Sequence, residues 1–207
     1  KKIKKLQTDK DGNLIILYAQ NKDEQYTYIE SAKEKGYEVL LLDSPIIPHL
    51  MQKLESKKEK IKFSRVDSDT LENLIKKDEE VISKLSDEDK EKLKPMIETA
   101  VEDEKYTVQL EALDSSSMPF MLAQPEFMRR MKEMQQTGGG AMGNMPDMYS
   151  LIVNTNHELV GKILNTRTEK KRNSLIKQSI DLAKLSQNNL TGKDLTEFIN
   201  RSIDLIK

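Results

Sequence analysis

The sequence predicts an α/β segment followed by a mixed α+β segment that ends in a helical hairpin. Three patterns point to this. Up to about residue 66, short β-branched runs alternate with amphipathic stretches, the rhythm of a small parallel sheet covered by helices. From Asp67 the composition shifts to a highly charged, largely helical region with further strand-like runs. The last stretch, from about Lys170, carries two apolar helical stripes separated by Asn188-Asn189 and Gly192. A boundary is expected near residue 68, giving segments 1–68 and 69–207.

In the first segment, Asp11-Gly12-Asn13 signals a turn, and LIILYAQ at 14–20 follows as a buried-type strand. Asp23 to Lys35 reads as a helix closed by Gly36 at C′, with Tyr26, Ile29 and Ala32 on one face. YEVLLLD, ending at Asp43, is a second strand, Ile46 to Leu54 a helix after Ser44-Pro45, and KIKFSRV at 60–66 an exposed third strand. A ligand could sit beyond the carboxyl ends of such strands, near Gln20 or Asp43, but no phosphate-binding glycine loop follows them. His49 lacks ligand-spaced neighbours and reads as an ordinary helix residue.

In the second segment, Leu71, Leu74 and Ile75 form a brief stripe and Val81, Ile82 and Leu85 another. Ser86 and Asp89 imitate a capping box before Leu93, Met96, Ile97, Ala100 and Val101, and Pro95 should bend or restart that helix. Lys105 to Leu113 alternates as a strand, and Met118 to Ala123 could pair with it across Asp114-Ser115-Ser116-Ser117. YSLIVN at 149–154 is a further strand, after which Asn156 is the expected cap of a helix from His157 to Leu164.

Eight of the ten methionines fall between Met118 and Met148. Within that stretch Pro125 opens a short helix, with Glu126 at its positive end. Phe127, Met128, Met131 and Met134 recur at helical spacing, and Arg129, Arg130, Lys132 and Glu133 take the other side. Thr137 and Gly138-Gly139-Gly140 end it, and a glycine- and methionine-rich loop follows. Two readings stay open: the methionines face their own core, or they form an adaptable binding face, as unbranched, polarisable side chains do elsewhere.

The final hairpin presents Leu175, Ile176, Ile180, Leu182, Ala183 and Leu185, then Leu195, Phe198, Ile199, Ile203 and Ile206. Two helices cannot bury both stripes on each other. Either the preceding body covers the remainder, or a second copy of the hairpin completes a four-helix bundle.

Composition excludes several classes. With 36% hydrophobic and 33% charged residues, and a net charge of −1, neither nucleic acid nor an anionic membrane is implied as a partner. The longest apolar run, Leu14 to Ala19, is strand-sized, and no signal peptide is evident. The lack of cysteine removes disulfides and thiol catalysis and fits a cytoplasmic location. The KKIKKLQ start reads as a piece of something longer. Gly138, Gly140 and Gly143 match G-x-G-x-x-G but follow a helix rather than a strand. Met142, Met145 and Met148 lack the Cys or His partner that a Cu(I) site would want. Ser115, Ser116, Ser117 and His157 lack a nucleophile elbow, so no catalytic constellation emerges.

Four stretches together resemble the bacterial 90-kDa heat-shock chaperone family, of the high-temperature protein G type. They are NKDEQYTYIESAKEKGYEVLLLD at 21–43, EFMRRMKEM at 126–134, NMPDMYSLIVNTNHELV at 144–160 and SIDLAKLSQNNLTGKDLTEFINRSIDLI at 179–206. The resemblance implies the end of a middle domain joined to a C-terminal dimerisation domain. ATP, Mg and the hydrolytic arginine would belong to a missing upstream part, so this piece would be non-catalytic and need no cofactor. It implies client binding by Phe127, Met128, Met131 and Met134, and a homodimer through the hairpin matching Leu175 to Ile206. A rival reading is a pure dimerisation and relay module. The short connection Asn165 to Glu169 departs from relatives with long charged inserts there and leaves the start of the first bundle helix open.

Overall fold

The computed structural model describes residues 3, 6–78, 81–101, 105–138 and 148–206, without the side chains of 134–138 and 205. The Met134 side chain and the loop beyond Gly138, with Gly139, Gly140, Met142, Gly143 and Met145, lie outside the described residues. The chain forms two compact units: 1–80 with 123–148, and 81–122 with 149–207.

The first unit is built on a three-stranded parallel sheet in the order β2-β1-β3, with β1 at Leu14–Ala19, β2 at Val39–Leu41 and β3 at Ile61–Arg65. The run LIILYA takes the centre because side chains on both of its faces can be covered, as the buried Ile15, Leu17, Tyr18 and Ala19 are. Tyr18 packs with Met51 and Phe63, and Ile16, Leu42, Ile47, Leu54 and Ile61 close that cluster. Strand alternation puts Ile15, Leu17 and Ala19 on the opposite face. Helix α1 (Tyr26–Glu34) buries Tyr28, Ile29 and Ala32 and ends before Gly36, whose φ of +76° is the left-handed value a C′ glycine supplies. Helix α2 (Ile47–Lys57) carries Pro48 in its first turn and buries Met51. The third strand, expected to be exposed, turns Phe63 into the core. A short helix α3 (Leu71–Leu74) starts at Thr70, whose hydroxyl accepts from Asn73 N. Residues 81–86, read as a helical stripe, are not helical, and Ile82 is exposed.

The second unit holds helix α4 (Asp87–Val101), which runs through Pro95 as one helix rather than restarting there, and strands β4 (Tyr106–Glu111), β5 (Phe120–Ala123) and β6 (Tyr149–Asn154). The sheet order is β4-β6-β5, with β6 parallel to β4 and Val108 opposite Leu151. This corrects the expected pairing of β4 with β5. Leu151, Ile152, Val153 and Asn154 are all buried, so β6 takes the doubly covered centre, and β4, buried only at Val108, takes an edge. Helices α6 (Glu158–Asn165), α7 (Glu169–Ser186) and α8 (Gly192–Ile206) follow. Leu93, Ile97, Val108, Phe120, Leu122, Leu151, Val153, Val160, Ile163, Ile176, Ile180 and Ala183 form one core.

A second correction concerns the start of α6. His157, not Asn156, is the cap, its Nδ1 accepting from Leu159 N at 3.0 Å. Asn156 is occupied elsewhere: its amide donates to Ile82 O and Leu113 O, both at 3.0 Å, and accepts from Lys84 N at 2.6 Å. The buried Asn154 accepts from Leu113 N and donates to Asp114 O, so the pair ties residues 82–84 and the turn after β4 to the end of β6. In that turn Asp114 accepts from both the Ser116 hydroxyl and the Ser116 N–H, the local bonding expected of a serine run.

Candidate functional site

Helix α5 (Glu126–Gly138) is amphipathic, as the spacing predicts, but turned the other way from most globular helices. Arg129 is 4% exposed and Phe127 is 69% exposed. Met128 and Met131 are half-buried and Lys132 is exposed. The face packed into the first unit is the charged one, Glu126, Arg129, Arg130 and Glu133, at spacing i, i+3, i+4, i+7.

Glu126 is the hub of that face. Its Oε1 accepts from the Tyr18 hydroxyl at 2.7 Å, Arg129 Nη2 at 2.8 Å and Arg130 Nε at 2.7 Å, and its Oε2 accepts from Arg65 N at 3.2 Å. Arg130 continues to Glu55 Oε2 at 2.8 Å and to Phe63 O at 2.7 Å. Arg129 pairs with Glu133, donates to the Tyr18 hydroxyl, and sets its guanidinium carbon 5.7 Å from the Tyr18 ring centroid. Gln20 joins in, its Oε1 accepting from Arg65 Nη1 at 3.1 Å. Burial alone would push the Glu126 carboxyl up, but Arg129, Arg130 and the Tyr18 hydroxyl outweigh it and hold it below its ordinary value of 4.5. Burial, then the Glu126 charge, pushes the Tyr18 hydroxyl upward, and Glu126 raises Arg129 against the effect of burial. Glu126, Arg129 and Arg130 therefore stay ionised near neutrality.

The location follows from topology. From central β1 the chain steps to β2 on one side and later to β3 on the other, so the crevice at the carboxyl ends of β1 and β3 is the switch point where sheets of this kind hold ligands. Tyr18, Gln20 and Arg65 line it, and α5 fills it. The ligand position considered near Gln20 is therefore taken by the chain itself.

At the hairpin, the structure sorts the residues that sequence grouped together. Ile176, Ile180 and Ala183 lie in the core of the second unit, Leu175 packs against that core, and Phe198 is buried. Leu195 is half-buried. Leu182, Leu185, Ile199, Ile203 and Ile206 are exposed, Ile203 at 47% and Ile206 at 86%. The two helices are joined by polar links: Gln178 Nε2 to Ser202 Oγ at 2.9 Å, Lys177 to Glu197 at 3.6 Å, and the Asp181–Arg201 ion pair. Burial raises the Asp181 carboxyl, and Arg201 only partly offsets it. The turn uses Asn188 and Gly192 at positive φ.

Sequence reasoning put Arg129 and Arg130 on the side away from the apolar face and assigned them no partner. The available signal was E-x-x-R-R-x-x-E, a self-compensating charge pattern that can be buried as a unit. No sequence signal marks Tyr18, Gln20 or Glu55 as its acceptors and donors. Among the described residues no cluster of His, Asp or Glu could hold a metal ion, and no helix is long and apolar enough to cross a membrane.

The Hsp90 protein family profile matches residues 8–204, and the chain belongs to the Hsp90 family of heat-shock chaperones. It is 36% identical to the chaperone protein HtpG of Bacteroides thetaiotaomicron over 273 aligned positions, covering 99% of this chain and 40% of that protein. It is 42% identical to the chaperone protein HtpG of Porphyromonas gingivalis over 185 positions, covering 87% of this chain and 27% of that protein. The chain thus spans two fifths or less of the length of these relatives.

Proposed function

We propose that this segment is the client-binding and homodimerising part of an ATP-dependent chaperone, non-catalytic in itself, with nucleotide hydrolysis performed by a part of the longer protein outside these residues. In this reading residues 1–68 end a middle domain and 69–207 form a dimerisation domain. The observation that carries client binding is the inverted burial of α5: Arg129 is 4% exposed while Phe127 is 69% exposed. A helix that spends its charges on internal bonds leaves an apolar, deformable face for partners of varied shape, which is what non-native chains require. Dimerisation rests on Leu182, Leu185, Ile199, Ile203 and Ile206, which remain exposed on the hairpin after its own core is filled. A second hairpin would cover them as a four-helix bundle.

The rival is a dimerisation and relay module in which α5 does not touch clients. Replacing Phe127, Met128 and Met131 with serine separates the two. The probe is reduced, carboxymethylated α-lactalbumin, a soluble chain held unfolded, titrated by fluorescence anisotropy. Client binding predicts weakening of about tenfold or more, since apolar anchors dominate such contacts, with the dimer intact. Unchanged affinity would leave only the relay module.

A further inference from the structure

The charged face of α5 has a role that the methionine face alone does not explain. An amphipathic helix of this length is marginal by itself, and its default in a globular protein is to bury the apolar side. Here the crevice at the carboxyl ends of β1 and β3 meets the helix with polar groups. It offers the Tyr18 hydroxyl, the Gln20 amide, the Arg65 N–H, the Phe63 carbonyl and the Glu55 carboxylate. These groups match Glu126, Arg129 and Arg130 in charge and hydrogen-bonding sense, and would be left unsatisfied by a methionine. We infer that α5 docks in this crevice as an internal ligand, and that Glu126, Arg129 and Arg130, with Tyr18 and Glu55 as receptors, are positioning residues that hold Phe127, Met128 and Met131 outward for binding. The inference rests on the client-binding reading of that face.

The specificity lies in the receptor. Glu126 Oε1 gathers three donors, two from its own helix and one from β1, so its charge satisfies Arg129 and Arg130 and also ties them to the sheet. Removing that carboxylate leaves two guanidinium groups, largely shielded from water, without their shared partner. The helix then undocks, and its binding-competent orientation becomes one of several. Apparent affinity falls in proportion to the competent fraction, with no binding side chain altered.

The test is a double-mutant cycle on the whole 207-residue chain, with the carboxymethylated α-lactalbumin probe and peptide-resolved hydrogen exchange. Glu126→Ala is expected to speed amide exchange across residues 126–138 and to weaken probe binding about tenfold, the loss expected when the competent fraction falls to about one tenth. In a Met128→Ser, Met131→Ser background, Glu126→Ala should add much less than in the wild type, because it acts through the face those changes weaken. Tyr18→Phe deletes one hydroxyl without disturbing the core, and should shift both readouts the same way by a smaller factor. It keeps the test decisive if Glu126→Ala fails to fold. Faster exchange with unchanged affinity would overturn the inference, as would unchanged exchange or fully multiplicative losses. If the methionine variant itself binds the probe as the wild type does, the client-binding reading has failed, and the exchange result still decides whether the network docks the helix.

Discussion

Helix α5 and the α7–α8 hairpin both expose apolar side chains, but they reach that state by opposite routes. In α5 the inward face is ionic, so Phe127 is left exposed and Met128 and Met131 only half-buried. In the hairpin the inward face is apolar, Ile176, Ile180, Ala183 and Phe198, and the exposed residues are the surplus of stripes too wide for one core. The difference bears on what each surface can do. A rigid apolar seam on two packed helices suits one partner of fixed shape, such as its own copy. A methionine face on a helix anchored through its polar side suits many partners.

The largest effect that would break this comparison is at the hairpin. Ile199→Asp with Ile203→Asp should give a folded monomer by sedimentation, because placing carboxylates in an apolar seam costs about 4 kcal/mol or more for the pair. A dimer that survives both substitutions would remove the bundle. Ile176→Ala tests the inward side instead. It should cost about 2–5 kcal/mol in urea unfolding of the second unit and leave the surviving folded protein dimeric. Next in size, Asn154→Ala strips partners from Leu113 N and Asp114 O in a fully buried position, for a loss of about 1–3 kcal/mol by the same measurement. An unchanged midpoint would mean that water replaces the amide.

The smallest effects are those of pH, and they should differ in sign between the two regions. The Glu126 carboxyl lies below its ordinary 4.5, so docking of α5 gains stability that is complete above that value and is lost as pH falls through the lower folded value. The Asp181 carboxyl is raised above 3.8, so its contribution is complete below 3.8 and is lost as pH rises through the higher folded value. Acidification from pH 7 into the carboxylate range should therefore speed exchange at 126–138 and leave α7 around Asp181 relatively protected. Equal acid sensitivity of the two peptides would contradict the assigned shifts.

Much of the fold was legible because local patterns and tertiary placement agree. The βαβ rhythm of 14–66, the C′ position of Gly36 and the Asn188-Asn189 and Gly192 break all follow from side-chain sterics that the sequence states directly. What was not legible depended on competition between distant segments. The hairpin of β4 with β5 failed because β6, later in the chain, is the more apolar strand and takes the centre. Asn156 was unavailable as a cap because Ile82, Lys84 and Leu113 claim its amide. Periodicity identified both faces of α5 but not which one is inside. That choice is made by Tyr18, Gln20 and Glu55, whose proximity only the folded sheet creates. The same holds for the hairpin, where spacing alone could not separate the buried Ile180 from the exposed Leu182.

The orientation of α5 is the claim on which the rest depends, and peroxide footprinting reads it most directly. Thioether oxidation requires access to the sulfur, and Met51, only 1% exposed in the core of the first unit, serves as the internal protected standard. With brief hydrogen peroxide treatment of the native chain and peptide mass spectrometry, Met128 and Met131 should convert to the sulfoxide well before Met51, by roughly tenfold in rate or more. Protection of Met128 and Met131 equal to that of Met51 would mean that the apolar face is turned inward, and would contradict the account.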